Sequence, residues 1–321
     1  MPREPARPRP RSLRSRLRRA LILAAVSTIL GLIRILPEQA AFGLARVLAV
    51  VAWWCQPKWR RMVDRNLQIF YRDEPLGQPK ARRERARLGL KSAIHFGYHT
   101  FEFARMGFIP IEKALAMVVE IEGLEHMQAA LAEGHGVIGL GLHYSNWELC
   151  GIYMAQRVAP VYGLGKLRDQ LITRLLFARR ERFGMRNIDA GVKMQGAILR
   201  ALKEGSIFGI LIDQSGGESG VYVPFAGTLA NTGPGPAALA LKTGAPILIV
   251  HTRRIRPGHV KLIIRPPLDM NGLPTEKHAA ISEILTRINR AYEEVIREDP
   301  TQWLWGYKRW QDRPPGEPPL Y

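Results

Sequence analysis

The sequence predicts an α/β sandwich: a mostly parallel sheet flanked by helices, with a separate N-terminal helical segment. Three observations carry this. Short apolar runs such as Gly136–Leu142 (GVIGLGL) and Ile207–Ile212 (IFGILI) read as strands buried on both faces. They alternate with helical stretches, the pattern of parallel strands joined by crossover helices. The chain is also long enough, at 321 residues, to enclose one sizeable core.

Residues 1–19 carry eight Arg and one Glu among prolines and have almost nothing to bury, so they are expected to form a disordered basic tail. Residues 20–55 form a second segment. Ala20–Leu36 and Ala40–Cys55 are two apolar stretches with one charge each, Arg34 and Arg46, separated by Pro37-Glu38-Gln39. Each falls short of the ~20 apolar residues of a perpendicular membrane span. A signal peptide, a single span and two ordinary core helices are alternatives. A membrane-associated helical hairpin turning at Pro37 and Glu38 is favoured, because it leaves both basic flanks on one side. Glu38-Gln39-Ala40 is not a small-x-small cleavage site.

Residues 56–321 are expected to form the α/β domain. Arg60–Gly107 reads helical, Val118–Glu122 as a strand, Leu124–Glu133 as a helix, and Gly136–Leu142 as a buried strand. Ser145–Arg157 reads as a helix, Val158–Leu164 as extended, and Leu167–Phe183 and Val192–Glu204 as helices. Ile207–Ile212 and Val221–Phe225 follow as strands, then a short helix at Ala237–Lys242. Ile247–Thr252 and Val260–Ile264 are expected to pair, before the long amphipathic helix Lys277–Glu298.

The formal charge of +19 is concentrated in three patches: +7 in residues 1–19, +7 between Lys58 and Lys91, and +5 between Lys166 and Arg186. Such patches suit an anionic partner, whether nucleic acid, an acidic carrier protein or an anionic membrane, and a membrane-tethered nucleic-acid-binding protein is a distant alternative. No recognisable nucleic-acid-binding module accompanies them, so nucleic acid is not an expected partner. The two cysteines, Cys55 and Cys150, have no paired spacing and offer neither a zinc cage nor a disulfide framework. His95, His99 and Glu102 fall at helical spacing that could clamp a metal, but without an HExxH motif they read as a helix face presented to a groove.

The sharpest constellation is His143-Tyr144-Ser145-Asn146-Trp147-Glu148, where a buried strand gives way to a helix. Ligand chemistry in open α/β sheets sits at the carboxyl ends of strands. A histidine there can take a proton from a hydroxyl at neutral pH, and a nearby carboxylate would fix its tautomer. Ser145 or Asn146 would cap the helix. With no G-x-S-x-G elbow, His143 would activate the hydroxyl of the substrate itself. Asp213-Gln214 ends a second buried strand and would face the same crevice, unless Asp213 simply forms a turn. Asn231–Pro236, before the next helix, could hold an anion but reads more simply as a turn and helix start.

The strings GLHYSNWEL, DQSGGESGVYVPFAG, NTGPGPAALALKTGAPILIV and QWLWGYKRWQDRPPG, in that order, resemble the lipid A biosynthesis acyltransferases, the lauroyl and myristoyl acyltransferases of Kdo2-lipid IV(A). The likeness runs from about Leu21 to Pro315. It implies a glycerolipid-acyltransferase-like fold at the bacterial inner membrane, with the catalytic domain facing the cytoplasm. It also implies transfer of a fatty acyl chain from acyl carrier protein, or from acyl-CoA, to a glycolipid hydroxyl. No cofactor, metal or acyl-enzyme is implied. The family's H-x-x-x-x-(D/E) pair maps onto His143 as general base and Glu148 as its orienting carboxylate. Asn146, Asp213, Gln214, Lys166, Arg180, Arg182 and Arg309 are the expected substrate-binding residues. The chain departs from the family pattern at Ser215, at Tyr162-Gly163-Leu164 and at Gly306-Tyr307-Lys308. These are positions that bear on the acceptor, and an acyltransferase of the same fold acting on another glycolipid or an aminolipid is the alternative.

Overall fold

The computed structural model describes residues 28, 31, 34–165, 170–189 and 194–321. The basic tail, most of the first apolar stretch and Lys166 lie outside them.

Helix α1 (Glu38–Cys55) follows Pro37, and α2 (Pro57–Phe70) begins at a proline that needs no amide hydrogen bond there. Two 3-10 turns, Pro75–Gly77 and Pro79–Ala81, separate α2 from α3 (Arg82–Arg105), so the helical stretch expected from Arg60 to Gly107 is broken where its prolines fall. A short α4 (Ile111–Leu115) leads to β1 (Val118–Glu122), α5 (Leu124–Ala132) and β2 (Val137–Gly141). Then come α6 (Trp147–Arg157), β3 (Val161–Gly165), α7 (Gln170–Arg182), β4 (Arg186–Asp189), α8 (Met194–Lys203) and β5 (Ile207–Leu211). A hairpin of β6 (Val221–Phe225) and β7 (Thr228–Thr232) precedes α9 (Gly235–Thr243), β8 (Ile247–Arg256), β9 (His259–Pro267) and α10 (Lys277–Glu298).

The main sheet has seven strands in the order β1-β9-β8-β2-β5-β3-β4. Strands β8, β2, β5, β3 and β4 are mutually parallel; β9 runs antiparallel to β8, and β1 runs parallel to β9. The mixed α/β architecture with a mostly parallel sheet is therefore as expected. Strands β4 and β7 had no clear signal: RNID and TLANT lack the apolar density of the central strands.

Alternation along the strands sorts the core into two layers. Ile138, Leu140, Phe208, Ile247 and Ile249 pack with Ile284, Leu285, Ile288 and Tyr292 of α10. Val137, Ile207, Leu248 and Val250 pack on the other face with Leu149, Ile152 and Met154 of α6. This is the two-residue side-chain period of a pleated sheet covered on both sides. The β6–β7 hairpin turns at Ala226-Gly227, both with positive φ, the backbone of the tight turn that matches strand twist.

Helix α1 has two faces. Ala41, Phe42, Ala45, Ala49 and Trp53 are buried against the body of the protein, where Gly97 of α3 brings the helices so close that a Cβ there would stand 2.9 Å from the Cβ of Ala49. Val47, Leu48, Val51 and Trp54 are exposed. Among the described residues no single helix is long and apolar enough to cross a membrane; α1 and α2 pass that test only as a pair bent by 90°. The expected hairpin would turn at Pro37, and most of its first arm lies outside the described residues.

Helix α3 is tied to the sheet by a buried ion pair. Glu102, 1% exposed, accepts from Arg254 at 2.5 Å, from the Asn146 amide at 2.9 Å and from the Gly258 backbone at 3.1 Å. Burial pushes its carboxyl up, and the Arg254 charge and these hydrogen bonds oppose that. Glu102 is thus committed to holding elements together. Removing one partner of such a pair strands the other charge without solvent, so Glu102→Ala is expected to lose about 3–5 kcal/mol of stability, read as a fall in the urea midpoint with an unchanged slope.

Candidate active site

The in-register pairing of β2 with β5 sets Gly141 opposite Leu211. Two residues beyond, the parallel strands deliver His143 and Asp213 side by side. His143 Nδ1 lies 2.8 Å from Asp213 Oδ1, and the His143 backbone N–H donates to Asp213 Oδ2 at 2.8 Å. A carboxylate can only accept, so Nδ1 carries the proton and Nε2 presents its lone pair. The Trp303 indole N–H donates to Asp213 Oδ2 at 2.9 Å, and the Gln214 amide lies 3.4–3.5 Å from the two ring nitrogens.

Asp213 is enclosed and the His143 side chain is 23% exposed, so the dyad opens to solvent only through the imidazole. Burial pulls the His143 imidazole down, but the Asp213 charge and its hydrogen bond outweigh it and leave the ring above the ordinary value of 6.5. Burial likewise works to raise Asp213. The imidazolium charge and the hydrogen bonds from His143 and Trp303 win, holding the carboxyl below its usual range.

The loop after β2 is clamped from both sides. Ser145 takes a left-handed backbone (φ 52), and its N–H donates to the Gln302 carbonyl. Tyr144 bridges to Trp303, and the Leu304 N–H donates to the His143 carbonyl at 2.9 Å. Asn146 caps α6 by accepting from the Leu149 N–H at 3.2 Å, and its own N–H donates to Thr252 Oγ1. The Trp147 ring stands edge-on to His143 at 5.1 Å and stacks on His99 at 3.5 Å.

Several expected site residues are placed differently. Glu148 does not supply the carboxylate hydrogen-bonded to His143; its two oxygens accept bidentately from Arg180, both at 2.8 Å, in a buried pair. The reason is topological: Glu148 sits at the second residue of α6, facing α7, while the neighbouring strand brings in Asp213. Arg180 is thereby removed from the list of free cations. Arg182 donates to the carbonyls of Met106 and Ile109. Arg309 is fully buried, donating to the Asn231 carbonyl and Thr232 Oγ1, and burial lowers it to about 10. Asn146 is buried as a cap, and Asp213 is buried behind the imidazole. Of the expected substrate-binding set with described side chains, Gln214 alone adjoins Nε2 of His143. The Asn231–Pro236 turn is likewise occupied by Arg309 and by an Asn231 to Gly217 hydrogen bond. Trp303 was missed as a site residue; its only signal was its place in the QWLW string.

A strand-end His–Asp dyad beside an aromatic wall, in a mixed α/β framework, is an arrangement chemically able to accept a proton. Comparison with known proteins specifies the class. The family model for the bacterial lipid A biosynthesis acyltransferases matches residues 10–312, so the chain belongs to that family, and it is an acyltransferase. It is 27% identical over 297 residues to the lipid A biosynthesis lauroyltransferase of Escherichia coli (strain K12), covering 91% of this chain and 92% of that one. To the lipid A biosynthesis palmitoleoyltransferase of the same organism it is 29% identical over 205 residues, covering 63% and 64%. A phosphatidylinositol mannoside acyltransferase of Mycobacterium tuberculosis (strain CDC 1551 / Oshkosh) matches at 28% over 166 residues, 50% of this chain and 52% of that one.

Two outcomes follow from the geometry. Asp213→Asn removes the charge that raises His143, so the acid limb of the kcat/KM profile, which marks loss of the unprotonated base, should move to lower pH while the plateau rate falls; a pH–rate series on both proteins reads this directly. Glu148→Ala should cost about 3–5 kcal/mol by stranding Arg180, seen in chemical denaturation.

Proposed function

We propose that this acyltransferase moves a fatty acyl chain from an acyl thioester, carried by acyl carrier protein or coenzyme A, to a hydroxyl of a lipid A precursor, with His143 as general base. The observation that carries the reading is the His143–Asp213 dyad, in which Asp213 occupies Nδ1 of an imidazole that is itself 23% exposed. Family membership supports the acceptor class.

In this reaction the acceptor hydroxyl oxygen bonds to the thioester carbonyl carbon as its proton passes to His143 Nε2. Asp213 stabilises the imidazolium so formed. Collapse of the tetrahedral intermediate breaks the carbon–sulfur bond, and the imidazolium returns the proton to the leaving thiolate. The products are an ester and a free thiol. Direct transfer is supported by the state of the nearby nucleophiles: Ser145 is 2% exposed, and burial raises the Cys150 thiol to about 12. The reading needs no metal or organic cofactor beyond the thioester co-substrate.

We further infer association with the cytoplasmic face of the bacterial inner membrane. The exposed apolar face of α1 supports it, as do the basic clusters, each exposed cation adding about 1 kcal/mol at an anionic surface. An acidic carrier protein is the other natural partner of this charge.

Mass spectrometry of products from acyl-carrier-protein thioesters and Kdo2-lipid IV(A) tests the reading. Wild type should add one acyl mass, and His143→Ala should lose roughly 10²–10⁴ of the rate. Unchanged turnover in the variant removes the mechanism. His143-dependent thioester hydrolysis without acylation of this lipid moves the acceptor to another glycolipid or an aminolipid.

A further inference from the structure

An open groove of about 1290 Å³ lies between α1, α2, α3 and the C-terminal residues 304–321. Its walls are largely apolar, with Leu44, Leu48 and Ala52 from α1 facing Phe96 of α3. Four cations, Lys58, Arg61, Arg65 and Lys308, also line it, and no lining side chain is acidic. Arg65 is partly engaged, donating to the Leu320 carbonyl at 2.6 Å, and Lys308 stands over the Tyr321 ring. Lys58 and Arg61 are exposed and form no ion pair among the described residues.

The groove reaches the dyad within one layer of residues. Leu304 lines it and donates its N–H to the His143 carbonyl. Phe96 stacks on His99, which stacks on Trp147 beside His143. At its other side, Leu48 belongs both to the groove and to the exposed apolar face that Val47 and Val51 continue.

Building on the acyl-transfer reading above, we propose that this groove holds the hydrocarbon chains of the glycolipid acceptor, with an acceptor phosphate at Lys58 and Arg61. The volume exceeds the roughly 300–1,000 Å³ of pockets for drug-sized ligands, as chains from a multi-chain lipid require. The exposed apolar face of α1 gives such a lipid a lateral route from a bilayer without passage through water. A row of cations with no acidic side chain complements a phosphate, while the apolar walls offer nothing to a soluble polar ligand.

The test uses Kdo2-lipid IV(A) carrying carbon-14 in its acyl chains, in detergent micelles with the full-length protein, where binding needs no turnover. Ala52→Trp fills the groove, and Lys58→Glu with Arg61→Glu reverses its free charge; thermal unfolding midpoints check that both fold. Each variant should weaken binding about tenfold or more, and should raise the acceptor KM while leaving the donor KM in place. Enzymatic dephosphorylation of the lipid should cost wild type as much affinity as the double charge reversal does. Unchanged binding in both variants, or a change confined to the donor KM, overturns the proposal. Equal affinity for the dephosphorylated lipid overturns the phosphate contact. Groove-dependent binding by a wild-type protein that transfers no acyl group would uphold the groove and fell the acyl-transfer reading instead.

Discussion

The pairing of β2 with β5 is the constraint on which the site depends. Neither His143 nor Asp213 is chemically unusual alone, and 70 residues separate them. Two parallel strands held in register, with Gly139 opposite Gly209 and Gly141 opposite Leu211, carry them to the same depth at the same sheet end. A one-residue slip would turn one side chain to the opposite face of the sheet and break the dyad. The apolar residues that fill both faces therefore fix the geometry of the His143–Asp213 pair as well as a core.

A second layer of interactions keeps that geometry stiff. The C-terminal segment from Gln302 to Leu304 runs beside the His143 loop, accepting from Ser145, bridging Tyr144 and donating to His143, while the Trp303 indole completes the shell of Asp213. Gln302 is itself bonded to Arg254, and Arg254 to Glu102. Helix α3, strand β8 and the chain end thus meet at one buried polar network. In such surroundings hydrogen bonds are stronger and unpaired groups costlier than in water, so the network favours a single arrangement.

Among the described residues, cations fall into two populations. Arg85, Arg180, Arg254 and Arg309 are buried and donate to carboxylates, carbonyls or hydroxyls inside the fold, with Arg254 Nε and Nη1 and Arg309 Nε left without a hydrogen-bond partner among the described residues. Lys58 and Arg61 stand exposed beside an apolar groove. Only the second population can meet an external anion, and net charge does not reveal its size. The planar guanidinium, with five donors in a fixed fork, is suited to the internal role.

By itself the sequence determined the α/β class, the central strands, the long helix at Lys277–Glu298 and the family. Each rests on local pattern: buried strands need unbroken apolar runs, helices need three-to-four-residue spacing, and the family motifs are contiguous strings. It also marked His143 and Asp213, because both follow such runs directly. Tertiary structure alone decided who partners whom. The family motif implied Glu148 as the companion of His143, yet strand register supplied Asp213 and helix packing gave Glu148 to Arg180. The same holds for Arg182 and Arg309, basic residues whose partners are backbone and hydroxyl oxygens distant in sequence. Strand β4 and the part played by Trp303 were illegible for a related reason: their stabilisation comes from neighbours on other elements, and such contacts leave no periodic trace along the chain.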